Sequence, residues 1–233
     1  MNIGDFIKRD SRALPVFLLI DVSGSMSGEK IETVNVSLKE MLNQFRKITN
    51  PKGIIELCIL TFGNNSVNVV KKLSTLSDSD FYTFTAEGNT PMGKAFKQVS
   101  DMIEDYNIVS TRAYTPMIIL ISDGNPTDFS GYTQGMSIEQ IQTWDALQQL
   151  HSGSRSGKSI KTALGIGNDV DLNILKAFIN NDTTPVIRAN DIGTITKYFQ
   201  WVTLSINVRS ISPNPNQNVM VDTDLFDDES IEF

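Results

Sequence analysis

An uninterrupted apolar run, Leu14-Pro-Val-Phe-Leu-Leu-Ile20, leads directly into the polar sequence Asp21-Val-Ser-Gly-Ser-Met26. Apolar runs of this length, rich in Val, Ile, Leu and Phe, are typical of parallel strands that are buried on both faces. In open sheets of such strands, functional groups lie just beyond the carboxyl ends of the strands. We therefore expect Asp21, Ser23 and Ser25 to gather at one edge of a doubly wound, mostly parallel α/β sheet flanked by helices.

Two later segments offer further oxygen atoms at the same edge. Thr90 suits the N-cap, and Pro91 the first position, of a helix that is predicted to run to about Tyr106. A second buried-strand pattern, residues 117–122, ends in Asp123 and a glycine turn. Both polar groups are thus expected at strand-to-helix junctions, on the same side of the sheet as the first motif.

The chemistry of these side chains indicates the kind of ion that they could hold. Carboxylates and hydroxyls are hard oxygen donors, which suit Mg²⁺ or Mn²⁺ better than zinc or copper. A single aspartate cannot satisfy an octahedral divalent ion, so more than one of the three segments must contribute. The sequence therefore favours a magnesium or manganese site at this edge of the sheet.

Taken together and in this order, the three motifs resemble the metal-ion-dependent adhesion site (MIDAS) of von Willebrand factor type A domains, over about residues 12–204. The metal-site residues that the resemblance implies are Asp21, Ser23, Ser25, Thr90 and Asp123. The two serines would bind through their hydroxyls, the threonine directly or through water, and the two aspartates mostly through water. The resemblance also implies a sixth position, left open for an acidic side chain of a partner protein, and hence a binding module rather than an enzyme.

The sequence around the motifs indicates a subfamily. Residues 14–29, Ile31-Glu-Thr-Val-Asn35 and Ser122-Asp-Gly-Asn-Pro-Thr-Asp128 resemble the TerY-type bacterial proteins that are linked to tellurium resistance. Members of that group are cytoplasmic and are encoded beside a protein kinase-like and a PP2C-like phosphatase partner. The resemblance implies a cytoplasmic scaffold or regulator in a bacterial stress system, with those two proteins as candidate partners.

Loops near the motifs are expected to decide which partner carboxylate is accepted. These loops are residues 26–29, Asn89 and residues 125–128. Within them, Glu29 and Asp128 are candidates for partner specificity, and the alternative for each is a plain solvated charge.

Composition and charge exclude several classes of partner. A chain of 233 residues with 40% hydrophobic residues can bury one sizeable core and has no room for a second full domain. The net charge is −7, and six of the acidic residues lie in the segment 222–232. The body of the chain therefore lacks the excess positive charge that would attract nucleic acid or anionic lipid, and neither is expected as a partner. The apolar run before Asp21 is too short to span a bilayer and has no signal-peptide cleavage site.

Three regions are expected along the chain. They are a lead-in over residues 1–11, a von Willebrand factor type A domain over 12–204, and a linker with an acidic tail over 205–233. A Pro/Asn-rich spacer followed by acidic residues is typical of a flexible extension. The alternative is that residues 219–221 or 231–233 dock on a partner.

The domain is predicted to alternate strands and helices. The predicted helices cover about residues 30–47, 91–106, 137–151, 172–179 and 191–204, and the predicted strands cover about 54–62, 67–71, 117–122, 161–165 and 185–188. Gly63-Asn64-Asn65 predicts a hairpin turn between the strands at 54–62 and 67–71.

An enzyme is the alternative class of function. Asp21 at the end of a first parallel strand invites comparison with Mg²⁺-dependent phosphohydrolases that form an aspartyl phosphate and use an Asp-x-Asp motif. Ser23 stands where the second aspartate would be, which removes the acid/base partner that this chemistry needs. His151, the only histidine, is expected at an exposed helix end, so a histidine-based triad is not indicated.

Two smaller motifs have simpler explanations. Residues 153–159, Gly-Ser-Arg-Ser-Gly-Lys-Ser, resemble a phosphate-binding P-loop, but only three residues separate the glycines. The loop also follows a helix and precedes a strand, the reverse of the P-loop context. Cys58, the only cysteine, lies in an apolar run and is expected in the core, so no disulfide within the chain is possible.

Overall fold

The first apolar run forms β1 (Arg12–Asp21), an interior strand of the sheet. The computed structural model describes residues 12–48, 53–217, 222–226 and 230–232. The predicted lead-in, residues 1–11, lies outside the described residues.

The other strands are β2 (Gly53–Gly63), β3 (Ser66–Ser74), β4 (Met117–Ser122), β5 (Ile160–Ile166), β6 (Val186–Ala189) and β7 (Ile231–Glu232). The helices are α1 (Glu29–Lys47), α2 (Met92–Glu104), α3 (Ile138–Ile141), α4 (Asp145–Ser152), α5 (Leu172–Ile179) and α6 (Ile192–Ile211). A short 3-10 helix, Gly24–Met26, lies between β1 and α1. Among the described helices, none is long and apolar enough to cross a bilayer.

The described strands form one sheet in the order β3-β2-β1-β4-β5-β6-β7. The five strands from β2 to β6 in this order run parallel, while β3 and β7 pair antiparallel at the two edges. From β1 the chain builds first to one side and then, beginning with β4, to the other side. The carboxyl ends of β1 and β4 therefore form the topological switch point, where open α/β sheets bind their ligands. The predicted doubly wound α/β fold is confirmed.

Alternate side chains of β1 face two separate apolar cores. Val16, Leu18 and Ile20 face the core beneath α1 and α6, and Phe17 and Leu19 face the core beneath α2, α4 and α5. All five side chains are fully buried, and each contributes about 1.5–3 kcal/mol relative to exposure. Because β1 is anchored on both faces, the position of its carboxyl end is fixed by the whole core.

The predicted hairpin between β2 and β3 is confirmed. Asn64 and Asn65 both have positive φ angles, 46° and 60°, which is the backbone of a two-residue hairpin turn and is tolerated by asparagine better than by most residues.

The helix predicted over residues 137–151 is interrupted. Ser137 and Gln140 form a capping box at the start of α3, and a second helix, α4, begins after Trp144. The Trp144 ring is buried and stacks on Phe129 with centroids 4.7 Å apart. Its indole ring also leaves no room for a Cβ atom at Gly93. The break is thus a tertiary packing effect, which helical periodicity alone does not reveal.

The last helix, α6, continues to Ile211 and does not end near Leu204, so its final turns include residues that the sequence assigned to the extension. Arg209 in these turns is fully buried. Its guanidinium donates to the carbonyl oxygen of Pro215 at 2.7 Å and 3.1 Å, and to that of Thr115 at 2.9 Å. These bonds hold the start of the spacer against the domain.

Two described pieces of the acidic extension also lie on the domain. Phe226 is buried against Trp201, with ring centroids 6.0 Å apart. Ile231–Glu232 forms β7 and pairs with the chain's own strand β6. The expected flexible tail thus contacts the domain at these residues, once at α6 and once at the edge of the sheet. The other predicted docking residues, 219–221 and Phe233, lie outside the described residues.

The P-loop-like segment binds an anion of the protein itself. The backbone N–H groups of Arg155 and Ser156 and the Ser154 hydroxyl donate to the Glu104 carboxylate at 2.9, 2.8 and 2.7 Å. Burial alone would raise the pKa of Glu104, but these donors, led by Ser156, outweigh it and lower the pKa to about 2. The cradle that resembles a phosphate site is therefore filled by a structural carboxylate.

Replacing Glu104 by glutamine is expected to destabilise the protein by about 1–2 kcal/mol at pH 7, because the three donors lose a charged acceptor. The folded-state pKa lies below the ordinary value of 4.5. The contribution is therefore complete above pH 4.5 and declines as the pH falls toward 2. Urea unfolding at pH 7 and pH 3 measures both effects. The control is Asp101→Asn, at an exposed position on the same helix; a loss of similar size in both variants would contradict the prediction.

The chain's only cysteine and only histidine both contact the interior of the domain. Cys58 is buried, as predicted, and burial raises the pKa of its thiol to about 12. His151 is partly buried, not exposed, and its Nε2 atom lies 3.1 Å from the carbonyl oxygen of Phe178.

Candidate metal centre

Asp21, the last residue of β1, organises the switch point. Its side chain is fully buried. Its Oδ1 atom accepts the backbone N–H of Ser23 at 2.8 Å, and its Oδ2 atom accepts the hydroxyl of Ser122, the last residue of β4, at 2.5 Å. The carboxylate thus fixes the turn after its own strand and ties the ends of the two strands together.

The two serines of the first motif and Asp123 form a continuous chain of polar atoms. The Oγ atoms of Ser23 and Ser25 are 3.1 Å apart, and the Ser25 hydroxyl donates to Asp123 Oδ1 at 2.8 Å. The short 3-10 helix after Ser23 turns the backbone so that both hydroxyls lie on one side. Side chains from the ends of β1 and β4 are therefore in direct contact.

Backbone hydrogen bonds bring the third motif to the same place. The N–H of Glu87 donates to the carbonyl oxygen of Val22 at 2.8 Å, and the N–H of Gly24 donates to that of Gly88 at 2.9 Å. Thr90 follows directly and is buried. All five residues predicted for the metal site are thus brought together, although they come from three separate segments.

Thr90 has a different local role from the one predicted. The helix α2 begins at Met92 with Pro91 at the N-cap, so Thr90 lies one residue before the cap. The cap is supplied by Asp128, whose carboxylate oxygens accept the N–H groups of Gly93 and Lys94 at 3.0 and 2.9 Å. The Thr90 hydroxyl is thereby left for the site. Asp128, predicted as a specificity residue or a solvated charge, is instead a helix-capping residue.

Gly124 shows that oxygens from the three motifs surround one small space. A Cβ atom built on Gly124 would lie 3.2 Å from Thr90 Oγ1, 3.5 Å from Asp21 Oδ2 and 3.6 Å from Ser25 Oγ. Glycine therefore leaves open a cradle lined by oxygens from all three motifs. Three hydroxyls and two carboxylates, without thiolate or imidazole, fit a hard divalent cation such as Mg²⁺ or Mn²⁺. In the part of the chain that the structure describes, no group of three or more His, Cys, Asp or Glu residues could hold a metal. The candidate centre has two carboxylates and therefore depends on its hydroxyl oxygens as well.

The site is also electrostatically prepared for a cation. Burial raises the pKa of Asp21 to about 6, although hydrogen bonds from Ser122 and Ser23 oppose the effect; the neighbouring Asp123 adds to the rise. A positive charge in the cradle would offset the cost of burying the ionised carboxylate.

Lys30, in the first turn of α1, is one of two residues near the site that sequence reasoning missed. Its ammonium group forms an ion pair with Asp123 Oδ2 and donates to the backbone oxygen of Ser25 at 3.2 Å. Its position, five residues after Ser25 and at the start of the predicted helix, was the available signal. Ser122 was also missed as a partner of Asp21, because it was treated only as a strand residue.

The sequence model of the von Willebrand factor type A (vWA) domain matches residues 16–201. The chain belongs to this family. That range contains the parallel strands, apart from the first four residues of β1, and all three motifs of the site. vWA domains commonly act as metal-dependent protein-interaction modules.

Solved structures share the vWA fold at low sequence identity. The ArnB paralog VWA2 from Sulfolobus acidocaldarius has 18% identity and a TM-score of 0.59, over 84% of this chain and 46% of that chain. The vWF domain of the type V pili tip protein Mfa5 from Porphyromonas gingivalis has 14% identity and a TM-score of 0.62, over 88% and 98%. Proximal thread matrix protein 1 from the mussel byssus, solved with a zinc-occupied MIDAS motif, has 15% identity and a TM-score of 0.60, over 83% and 48%.

At these identities the likeness shows the fold alone. This vWA chain spans about half the length of the Sulfolobus and mussel proteins that it matches. No curated protein matches the chain.

Proposed function

We propose that this vWA domain is a metal-dependent protein-interaction module that captures an acidic side chain of a partner. The residues that would hold Mg²⁺ or Mn²⁺ are Asp21, Ser23, Ser25, Thr90 and Asp123. The observation that carries the proposal is the cradle at Gly124, which oxygens from three distant segments line at the switch point. When bound, the ion supplies a positive charge and an open coordination position for a carboxylate oxygen.

The nature of the donors supports capture of an anion. Three of the five side chains are neutral hydroxyls, and the two carboxylates would bind mostly through water, so part of the charge of a divalent cation would stay uncompensated. The two carboxylates are already engaged by the protein: Asp21 by Ser23 and Ser122, and Asp123 by Ser25 and Lys30. The arrangement therefore favours an external carboxylate as the group that completes the site.

The same contacts argue against the alternative, a Mg²⁺-dependent phosphohydrolase that uses Asp21. Asp21 is fully buried, and hydrogen bonds occupy both of its oxygens. A nucleophile in such an enzyme must reach the phosphorus atom of a substrate. His151, the only histidine of the chain, contacts the backbone of Phe178. We therefore propose that the domain is not an enzyme.

The resemblance of the motif sequences to TerY-type proteins extends the proposal to a biological setting. It supports a cytoplasmic scaffold or regulator in a bacterial tellurium-resistance or related stress system. A protein kinase-like protein and a PP2C-like phosphatase are the first partners to test, and an exposed Asp or Glu of the partner would be the captured group.

The proposal is tested by capture of these two purified partners on the immobilised protein, in Mg²⁺ and in EDTA, with Mn²⁺ binding measured in parallel by calorimetry. Ser23→Ala removes one hydroxyl of the proposed metal site and is expected to reduce capture to the level seen in EDTA. Ser152→Ala is the matched control, because Ser152 is exposed at the end of α4, away from the switch point, and its hydroxyl bonds only the carbonyl oxygen of Gln149 in the described contacts. Partner binding that is unchanged in EDTA, or in the Ser23→Ala variant, would overturn the proposal.

A further inference from the structure

A positive charge already lies beside the candidate metal centre. The ammonium group of Lys30 donates to Asp123 Oδ2 and to the backbone oxygen of Ser25. Both Asp123 and Ser25 are residues of the proposed metal site. The Asp123 side chain is only 1% exposed. A buried carboxylate next to the ionisable Asp21 needs a counter-ion, and in the described structure Lys30 supplies it.

The position of Lys30 on its helix is unfavourable for a lysine that has only a structural role. The first turn of a helix carries the positive end of the helix dipole, where cations are disfavoured. The other charged residues of this turn, Glu29 and Glu32, follow the expected preference for acids. Lys30 departs from it, and its contacts with Asp123 and Ser25 are what offset the cost.

Lys30 is also free to leave. Its side chain is 37% exposed, in contrast to the carboxylate that it contacts. Gly167, in the loop after β5, lies beside the ammonium and has no side chain that would confine it. A Cβ atom there would lie 3.5 Å from Lys30 Nζ. A long, flexible and partly exposed side chain can move its charge into solvent without disturbing the backbone.

From this placement we infer that Lys30 is an internal counter-ion, which holds Asp123 in the metal-free protein and is displaced when the site is loaded. Lys30 thereby sets the affinity of the site for divalent cations: loading must break the Lys30–Asp123 ion pair, and the ammonium repels an incoming cation. The inference rests on the metal site of the proposed function and adds the way in which this chain regulates it.

The test is a Mn²⁺ titration of the full chain by calorimetry, comparing wild type with Lys30→Met. Methionine keeps much of the length of the stem and removes the charge. The variant is expected to bind Mn²⁺ about tenfold more tightly, because no ion pair has to be broken. Lys30→Arg keeps the charge and should stay near wild type. Lys39→Met removes a charge from an exposed position of the same helix, and should also leave the affinity unchanged.

Thermal unfolding distinguishes a counter-ion from a residue that merely supports the fold. In EDTA, Lys30→Met should have a lower Tm than wild type, because Asp123 loses its partner. In saturating Mg²⁺ the difference should disappear, because the cation takes over the same role. A lysine with only a structural role would lower the Tm equally in both conditions.

The outcomes separate this inference from the proposed function. If wild type and Lys30→Met bind Mn²⁺ equally, the counter-ion role is wrong while the metal site stands. If wild type binds no Mn²⁺, the proposed function fails and the inference fails with it. Tighter binding by Lys39→Met of the same size would also overturn it, since the effect would then reflect net charge alone.

Discussion

Replacing Gly124 by alanine is expected to weaken Mn²⁺ binding by at least about 100-fold, or about 2.7 kcal/mol, while leaving the fold intact. The added methyl group would lie 3.2–3.6 Å from oxygens of Thr90, Asp21 and Ser25, and would thus occupy the space in which those oxygens meet. The backbone of Gly124 does not adopt the positive φ that would strain an alanine. The loss would come from the filled cradle and not from unfolding.

Calorimetric titration with Mn²⁺, together with the metal-free Tm, measures the effect of Gly124→Ala. Gly53→Ala is the matched control, because a Cβ atom there lies 3.4 Å from the carbonyl oxygen of Ser210, at the opposite end of the sheet. The control should bind Mn²⁺ as wild type does. Normal Mn²⁺ binding by Gly124→Ala would mean that the ion is held elsewhere.

The Asp21→Asn substitution is expected to stabilise the metal-free protein above pH 6. The free energy of unfolding of the variant, minus that of wild type, should be up to about 3 kcal/mol larger above pH 6 than at pH 4. Burial raises the pKa of Asp21 from its ordinary value of 3.8 to about 6, against the opposing hydrogen bonds from Ser122 and Ser23. Between these pH values the folded chain keeps a proton that the unfolded chain has released. Wild-type stability in EDTA therefore falls as the pH rises from about 4 to about 6, and stays lower above pH 6.

Urea unfolding in EDTA at several pH values between 4 and 8 measures this difference. Asparagine does not titrate, so the Asp21→Asn variant should lack the slope between pH 4 and pH 6. In saturating Mg²⁺ the order should reverse, because only wild type retains the carboxylate that favours the bound cation. Asp145→Asn, at an exposed position on α4, is the control. Parallel curves for wild type and Asp21→Asn would show that Asp21 is not buried as described.

The fold was predictable because its strongest signals are local. The runs that became β1 and β4 are apolar throughout, and the polar residues that end them mark the switch point. The arrangement of the site followed from parallel topology, which brings the carboxyl ends of neighbouring strands together. The metal itself, and the partner that it would capture, stay predictions.

What the sequence did not reveal depends on contacts between distant segments. Asp128 caps α2 across a loop, and no local pattern pairs an acid with a helix that begins so far before it in the chain. The helix break at Trp144 comes from aromatic stacking on Phe129. Lys30 looked like an ordinary exposed helix residue, because its partner Asp123 is brought to it only by the sheet.

The proposed ligands come from three segments that only the finished sheet brings together: the end of β1, the residue before α2 and the end of β4. An unfolded or half-assembled chain has no such cluster, so a cation would bind the native state alone and favour it by mass action. Partner capture then becomes a test of chain integrity. A copy that is misfolded in the central strands would not assemble the site. It could therefore neither bind the ion nor compete for the partner.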